Sequence, residues 1–130
     1  MLRATSLALA LLALPVVAAE PGAQVQVVNM APLPNVPGKS ITGVLVTYAP
    51  GGRSPAHHHA GSVMAFVLTG AIRSENSATG PARVYHAGES FFEPPGSAHL
   101  ISENASSSEP ASLLAIFVAP DGAELTRFDR

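Results

Sequence analysis

From about residue 20 onward, apolar positions recur with a period of two or in short continuous runs, and no stretch carries a helical period. Gln24-Val25-Gln26-Val27-Val28 begins as an alternating strand. Ala31 to Lys39, with Pro32, Pro34 and Pro37, reads as an extended connector. Ile41 to Ala49 is β-branched and continuous, and Gly51-Gly52 turns the chain. Val63 to Leu68 is a strongly apolar strand ending at Thr69-Gly70. Ala71 to Glu75 pairs back, Asn76 to Pro81 turns, and Arg83-Val84-Tyr85 is a short strand before Ala87-Gly88-Glu89. Ser90 to Glu93 and His99 to Ser102 flank a Pro-Pro-Gly turn. Leu113 to Val118 is the last core strand, after a Ser-rich loop over Asn104 to Pro110. Many short strands at regular spacing, punctuated by Gly and Pro, predict an all-β sandwich or barrel. Its few aromatics, Phe66, Tyr85, Phe91, Phe92 and Phe117, are expected in the core, because a small domain needs them for packing.

The first nineteen residues break this pattern. Met1-Leu2-Arg3 carries one positive charge, an Ala/Leu-rich run follows, and Val17-Ala18-Ala19 is a small-residue cleavage signature. Residues 1–19 are therefore expected to be a signal peptide, placing the mature protein in the periplasm or outside the cell with no membrane association after cleavage. The remaining chain divides into an N-terminal strand and connector over 20–39, a barrel over 40–119 and a C-terminal tail over 120–130. The mature part carries six Lys and Arg against nine Asp and Glu, without a basic cluster, so it lacks the electrostatic footprint of nucleic-acid binding. There is no cysteine, which removes disulfides, thiol nucleophiles and thiolate metal ligands.

The chemistry concentrates in two segments. Gly51-Gly52-Arg53-Ser54-Pro55-Ala56-His57-His58-His59 is answered by Pro94-Pro95-Gly96-Ser97-Ala98-His99, and together they hold four of the five histidines. In an extended segment His57 and His59 face one side and His58 the other. His99, from a neighbouring strand, completes a set of three imidazoles. Such a set suits one divalent transition metal, Fe, Mn, Ni, Cu or Zn, and leaves positions open for water or substrate. His86, alone beside a Gly turn, is expected at the surface. Asn104 is equally suited to bracing a turn or lining a pocket.

These segments resemble the two motifs of the cupin family. Gly51, His57, His59 and Gly70 fit the first motif, and Gly88, Pro94, Gly96 and His99 fit the second; Glu103 stands where the second motif has Asn, with Asn104 one residue late. The resemblance covers roughly positions 40–119. It implies a cupin double-stranded β-helix, a jelly-roll barrel with the metal inside, and a homodimer paired through sheet edges. It also marks a departure. The position where most cupins carry a metal-binding Glu is Val63. Either the site is a three-His site, or a carboxylate arrives from elsewhere. Glu93, in Ser90-Phe91-Phe92-Glu93, is the candidate, as a fourth ligand or general base. The alternative for Glu93 is a rim carboxylate paired with Arg53 or Arg73.

Two functions follow. One is a metal-dependent enzyme of oxygenase or isomerase type acting on a small molecule. The other is a non-catalytic periplasmic module that binds or senses a metal or small metabolite.

Overall fold

The computed structural model describes residues 22–130; the expected leader over 1–19 lies outside the described residues. Among the described residues eleven strands follow one another without a helix: β1 (Ala23–Pro32), β2 (Lys39–Tyr48), β3 (Arg53–Ser54), β4 (His57–His59), β5 (Ser62–Thr69), β6 (Ala71–Asn76), β7 (Gly80–His86), β8 (Ser90–Glu93), β9 (Ala98–Asn104), β10 (Ala111–Pro120) and β11 (Thr126–Phe128). They form two antiparallel sheets. One has the order β1-β2-β10-β5-β8; the other has the order β11-β4-β9-β6-β7, with β3 also pairing β9. The fold is the all-β jelly-roll barrel expected of the sequence. β1 belongs to the barrel, pairing β2 from Ala23↔Tyr48 to Pro32↔Ser40 around a bulge at Val27/Asn29.

Alternation decides what fills the interior. On β5, Val63, Ala65 and Val67 point inward and are at most 1 % exposed, while Met64, Phe66 and Leu68 point outward. On β10, Leu113, Ala115 and Phe117 meet them from the neighbouring strand. Phe66 and Phe92 are thus on the outer face, 40 % and 51 % exposed, contrary to the expectation that both pack in the core. Both faces of β5 are apolar, so its composition does not mark the buried side. Phe117 is buried, and Tyr85 and Phe91 are half-buried against the core and tilted against each other, centroids 4.8 Å apart.

The turns that aim the histidine strand leave no room for side chains. Gly61 separates β4 from β5, and a Cβ there would overlap the Val118 carbonyl oxygen and lie 2.8 Å from Ala119 Cα. Gly61→Ala is therefore expected to destabilise the fold by about 1–3 kcal/mol, the usual range for overpacking, measured as a lower urea midpoint with unchanged slope. Asn104 is buried. Its amide donates to the carbonyls of Ala49 (3.1 Å) and Glu109 (2.7 Å), and its carbonyl accepts from Ser106 N–H, so it braces the Ser-rich loop.

Candidate metal centre

β4 is only three residues long, and its side chains alternate as the spacing requires. His57 and His59 face inward, 6 % and 8 % exposed; His58 faces out, with its Nδ1 2.7 Å from Asp129 Oδ1. β4 pairs β9 with His57 directly opposite His99, which is also buried. One ligand atom from each of His57, His59 and His99 lies within 4.8 Å of the other two. The sequence-selected imidazoles thus converge from two adjacent strands.

Backbone carbonyls fix two of the rings. His57 Nδ1 is 2.7 Å from Pro55 O, and His59 Nδ1 is 3.0 Å from Leu125 O. A carbonyl only accepts, so each Nδ1 carries the proton and each Nε2 lone pair remains available. This outer-contact arrangement orients metal-binding imidazoles generally. Thr126 Oγ1 approaches His59 Nδ1 at 3.2 Å. His99 differs: its Nε2 contacts Ser74 Oγ at 2.8 Å, which leaves Nδ1 toward the site. Phe128, Phe117 and Phe91 brace His57, His59 and His99 edge-on, with centroids 5.7, 5.0 and 5.9 Å away.

Glu93 joins this group. It is 3 % exposed, with Oε1 2.8 Å from His99 Nδ1 and Oε2 3.6 Å from His59 Nε2. Asn76 Nδ2 is 3.4 Å from Oε1 and anchors more closely to Ser97 Oγ, at 2.9 Å. The rim pairing with Arg53 or Arg73 does not occur, because Arg73 pairs with Glu103 at 2.9 Å and Glu93 faces the interior. On the sheet, Glu93 lies directly opposite Val63. Side chains opposite each other in an antiparallel pair are neighbours, about 5 Å apart at Cβ. The residue facing position 63 on β8 thus carries an inward carboxylate.

The chemistry of this donor set fits a metal ion. Despite its 2.8 Å approach to Glu93, His99 Nδ1 is out of line for a hydrogen bond, and it is buried without a hydrogen-bond partner. Such an orphaned atom is costly unless something else satisfies it. Three imidazole nitrogens and a carboxylate on one inward face are ligands for a divalent cation.

The electrostatics agree. Burial lowers the His57 pKa to about 4, and burial also lowers that of His59. Burial alone would raise Glu93, but the approach of His99 and the charges of His99, His59 and His57 outweigh it and hold the carboxyl below its usual range. At neutral pH the site therefore offers His57 and His59 uncharged beside an ionised carboxylate, so metal binding to these groups needs little proton release. In the metal-free protein the unfolded chain takes up the His57 proton near pH 6.5, whereas the folded chain waits until about pH 4. The unfolded state binds more protons across that window, so stability falls as pH drops from about 6.5 to 4. His57 contributes a loss of about 3 kcal/mol, His59 adds to it, and Glu93 adds only as pH falls below 4.5. Urea midpoints between pH 7.5 and 4 check this, and a flat profile would contradict it.

The imidazoles open into a cavity of about 380 Å³ that runs up the barrel between the sheets. Its walls are mainly apolar and include Val44, Val46, Leu113 and Phe117. His86 is exposed, as expected. Sequence reasoning missed the last strand. Leu125, Thr126 and Phe128 wall the site from beyond the last expected strand, and β11 pairs β4 through Thr126↔His59 and Phe128↔His57. The available signal was the β-favouring triplet Thr126-Arg127-Phe128 after the Asp121-Gly122 turn.

Comparison with known proteins agrees with this architecture. The cupin domain family matches residues 44–117. Among solved structures, an RmlC-like cupin from Shewanella frigidimarina has a TM-score of 0.64 at 19% identity, covering 84% of this chain and 86% of that one. KdgF from Halomonas sp. has a TM-score of 0.60 at 25% identity, covering 82% and 86%. Oxalate oxidase in complex with glycolate has a TM-score of 0.65 at 23% identity; the match covers 85% of this chain but 57% of that one. No curated protein sequence matches the chain. With its family match spanning more than half the sequence and both motif histidine groups meeting inside the barrel, the chain belongs to the cupin family.

Proposed function

We propose that His57, His59, His99 and Glu93 hold one divalent transition metal, and that the protein is a metal-dependent enzyme, of oxygenase or isomerase type, acting on a small molecule in the barrel cavity. The observation that carries this reading is the convergence on one buried face of His99 Nδ1, the Glu93 carboxylate and the available Nε2 atoms of His57 and His59. A bound ion supplies Lewis acidity and, if it is Fe, Mn or Cu, redox capacity. The chain's own contribution is threefold. The three imidazoles fix the ion to one wall of the cavity. The apolar walls exclude bulk water and strengthen electrostatic interactions within. Glu93, ionised and buried, can accept a proton from a substrate or water beside it. That an oxalate oxidase in complex with glycolate shares the barrel supports the reading at the level of the fold.

Incubating metal-loaded protein with a metabolite mixture and following it by mass spectrometry tests the catalytic part. Conversion of a compound by wild type but not by Glu93→Gln supports an enzyme. Retention of a compound unchanged by both supports a binding module.

Two further parts of the reading concern its setting. Export is supported by the leader-like composition of residues 1–19, and intact mass from the native compartment should show cleavage after Ala19. Homodimer formation is supported by the edge position of β1, where Val27, Val28 and Met30 are 49 %, 51 % and 68 % exposed. Sedimentation at micromolar concentration is expected to give a dimer, and a monomer would contradict it.

A further inference from the structure

The interior of the barrel carries a second polar group that the metal centre does not use. Tyr48, Ser54 and Ser102 line the same cavity as the histidines. Tyr48 Oη lies 2.9 Å from Ser54 Oγ and 2.8 Å from Ser102 Oγ, and Tyr48 and Ser102 are buried. Burial raises the pKa of the Tyr48 phenol, so it stays protonated.

The register explains how the cluster arises. Ser54 is opposite Ser102, and three residues along both strands His57 is opposite His99. Three steps would normally put Ser102 and His99 on opposite faces. Leu100 is the extra residue of a bulge between β9 and β6, exposed at 44 %, and it returns both side chains to the interior. The barrel wall thus carries a histidine rung and a serine rung, about 7–10 Å apart at the strand rise.

The cluster has hydrogen-bonding capacity to spare. Three hydroxyl protons serve two contacts, and among the described residues the two serine hydroxyls have no other partner. One O–H is therefore left to donate, and it borders the cavity. The cavity walls include Val44, Val46 and Leu113, and among the described residues no lysine or arginine lines it. Its charged lining residues other than histidine are Glu93 and, at the mouth, Glu124. A second anionic group on a ligand would meet no cation there and would lose its hydration against apolar walls.

We infer that the cavity takes a small molecule with a metal-binding head, a short apolar body and an uncharged oxygen acceptor at its far end, an ester, ketone, aldehyde or ether, received by Tyr48, Ser54 and Ser102. This rests on the metal reading above and names its substrate class. The cavity selects against small dicarboxylates, whose second charge has no partner.

Calorimetric titration of zinc-loaded protein at pH 7.5 with monomethyl glutarate and with glutarate tests the inference. The two probes share a carboxylate head and a three-carbon body and differ at the far end, a neutral methyl ester in one and a second carboxylate in the other. The monoester is expected to bind at least ten-fold more tightly. Tyr48→Phe and, separately, Ser54→Ala are expected to weaken the monoester about five- to ten-fold, with zinc content and glutarate affinity unchanged. The serine variant stands in if the tyrosine variant folds poorly by circular dichroism. Equal or tighter binding of glutarate would overturn the selectivity, and wild-type affinity for the monoester in both variants would overturn the assignment of the cluster. Zinc content from the same samples separates the two readings. Stoichiometric zinc with glutarate preferred defeats this inference alone, whereas monoester binding that persists without zinc defeats the metal reading and, with it, the metal-binding head assigned here.

Discussion

His99→Ala is expected to bind zinc or another divalent transition metal on the order of a hundred-fold more weakly than wild type, while His58→Ala binds as wild type does. Structural zinc sites with four ligands contribute roughly 10–16 kcal/mol, so each ligand contributes roughly 2.5–4 kcal/mol, a factor on the order of a hundred to a thousand. His99 carries the buried nitrogen without a hydrogen-bond partner, and its removal leaves two imidazoles on β4 and a carboxylate. His58 lies between two ligands in sequence but reaches Asp129 on the outside, so its loss removes only a half-exposed contact. Such contacts contribute about 0–1 kcal/mol. Competitive titration against a chromophoric chelator measures both variants. Equal affinity of His99→Ala and wild type would contradict the ligand set.

The second large effect belongs to Glu93. Glu93→Gln keeps the shape of the side chain and removes its charge. With a +2 ion beside it, this is expected to weaken metal binding by about 10–100-fold, the range for conserved partners of a metal ligand, and to abolish any turnover that uses the carboxylate as a base. The apo-protein should respond in the same direction. Without metal, the histidine neighbours of Glu93 outweigh the cost of burying its charge. An amide loses that net gain, so the metal-free variant is expected to be no more stable than wild type by urea unfolding at about pH 7.5. Because Val63 and Glu93 are directly opposed, the carboxylate should also be transferable. Val63→Glu combined with Glu93→Val returns the carboxylate to the position most cupins use and is expected to recover metal affinity to within about ten-fold of wild type. A double variant that binds no better than Glu93→Val alone would show that position 63 cannot reach the site.

Much of the site was legible because its signals are local. His57-His58-His59 in an extended segment can only alternate, and the structure buries the outer two and turns the middle one out. Gly88, Pro94 and Gly96 mark the turns that return the chain so that His99 falls opposite His57. Glu93 stood out as an acidic residue between two Phe and two Pro, and the sheet places it inside. Other features depend on partners distant in sequence. β11 has only three residues and no measurable period, and its role comes from pairing with β4, some seventy residues earlier. The Leu125 carbonyl that fixes the His59 tautomer is a backbone group with no residue-type signature. The exposure of Phe66 and Phe92 could not be read because Val63 to Leu68 is apolar on both faces, and only its pairing with β10 and β8 decides which side is buried. The same holds for the serine rung, whose inward aim depends on a single bulge at Leu100.

X-ray absorption at the zinc edge of stoichiometrically loaded protein tests the ligand set most directly. The expected spectrum has scattering from three imidazole rings together with ligand oxygen, all metal–ligand distances about 2.0–2.2 Å, and one imidazole is lost in His99→Ala. A spectrum dominated by water oxygens, with one imidazole or none, would show that the ion sits elsewhere and that His57, His59 and His99 do not form its site.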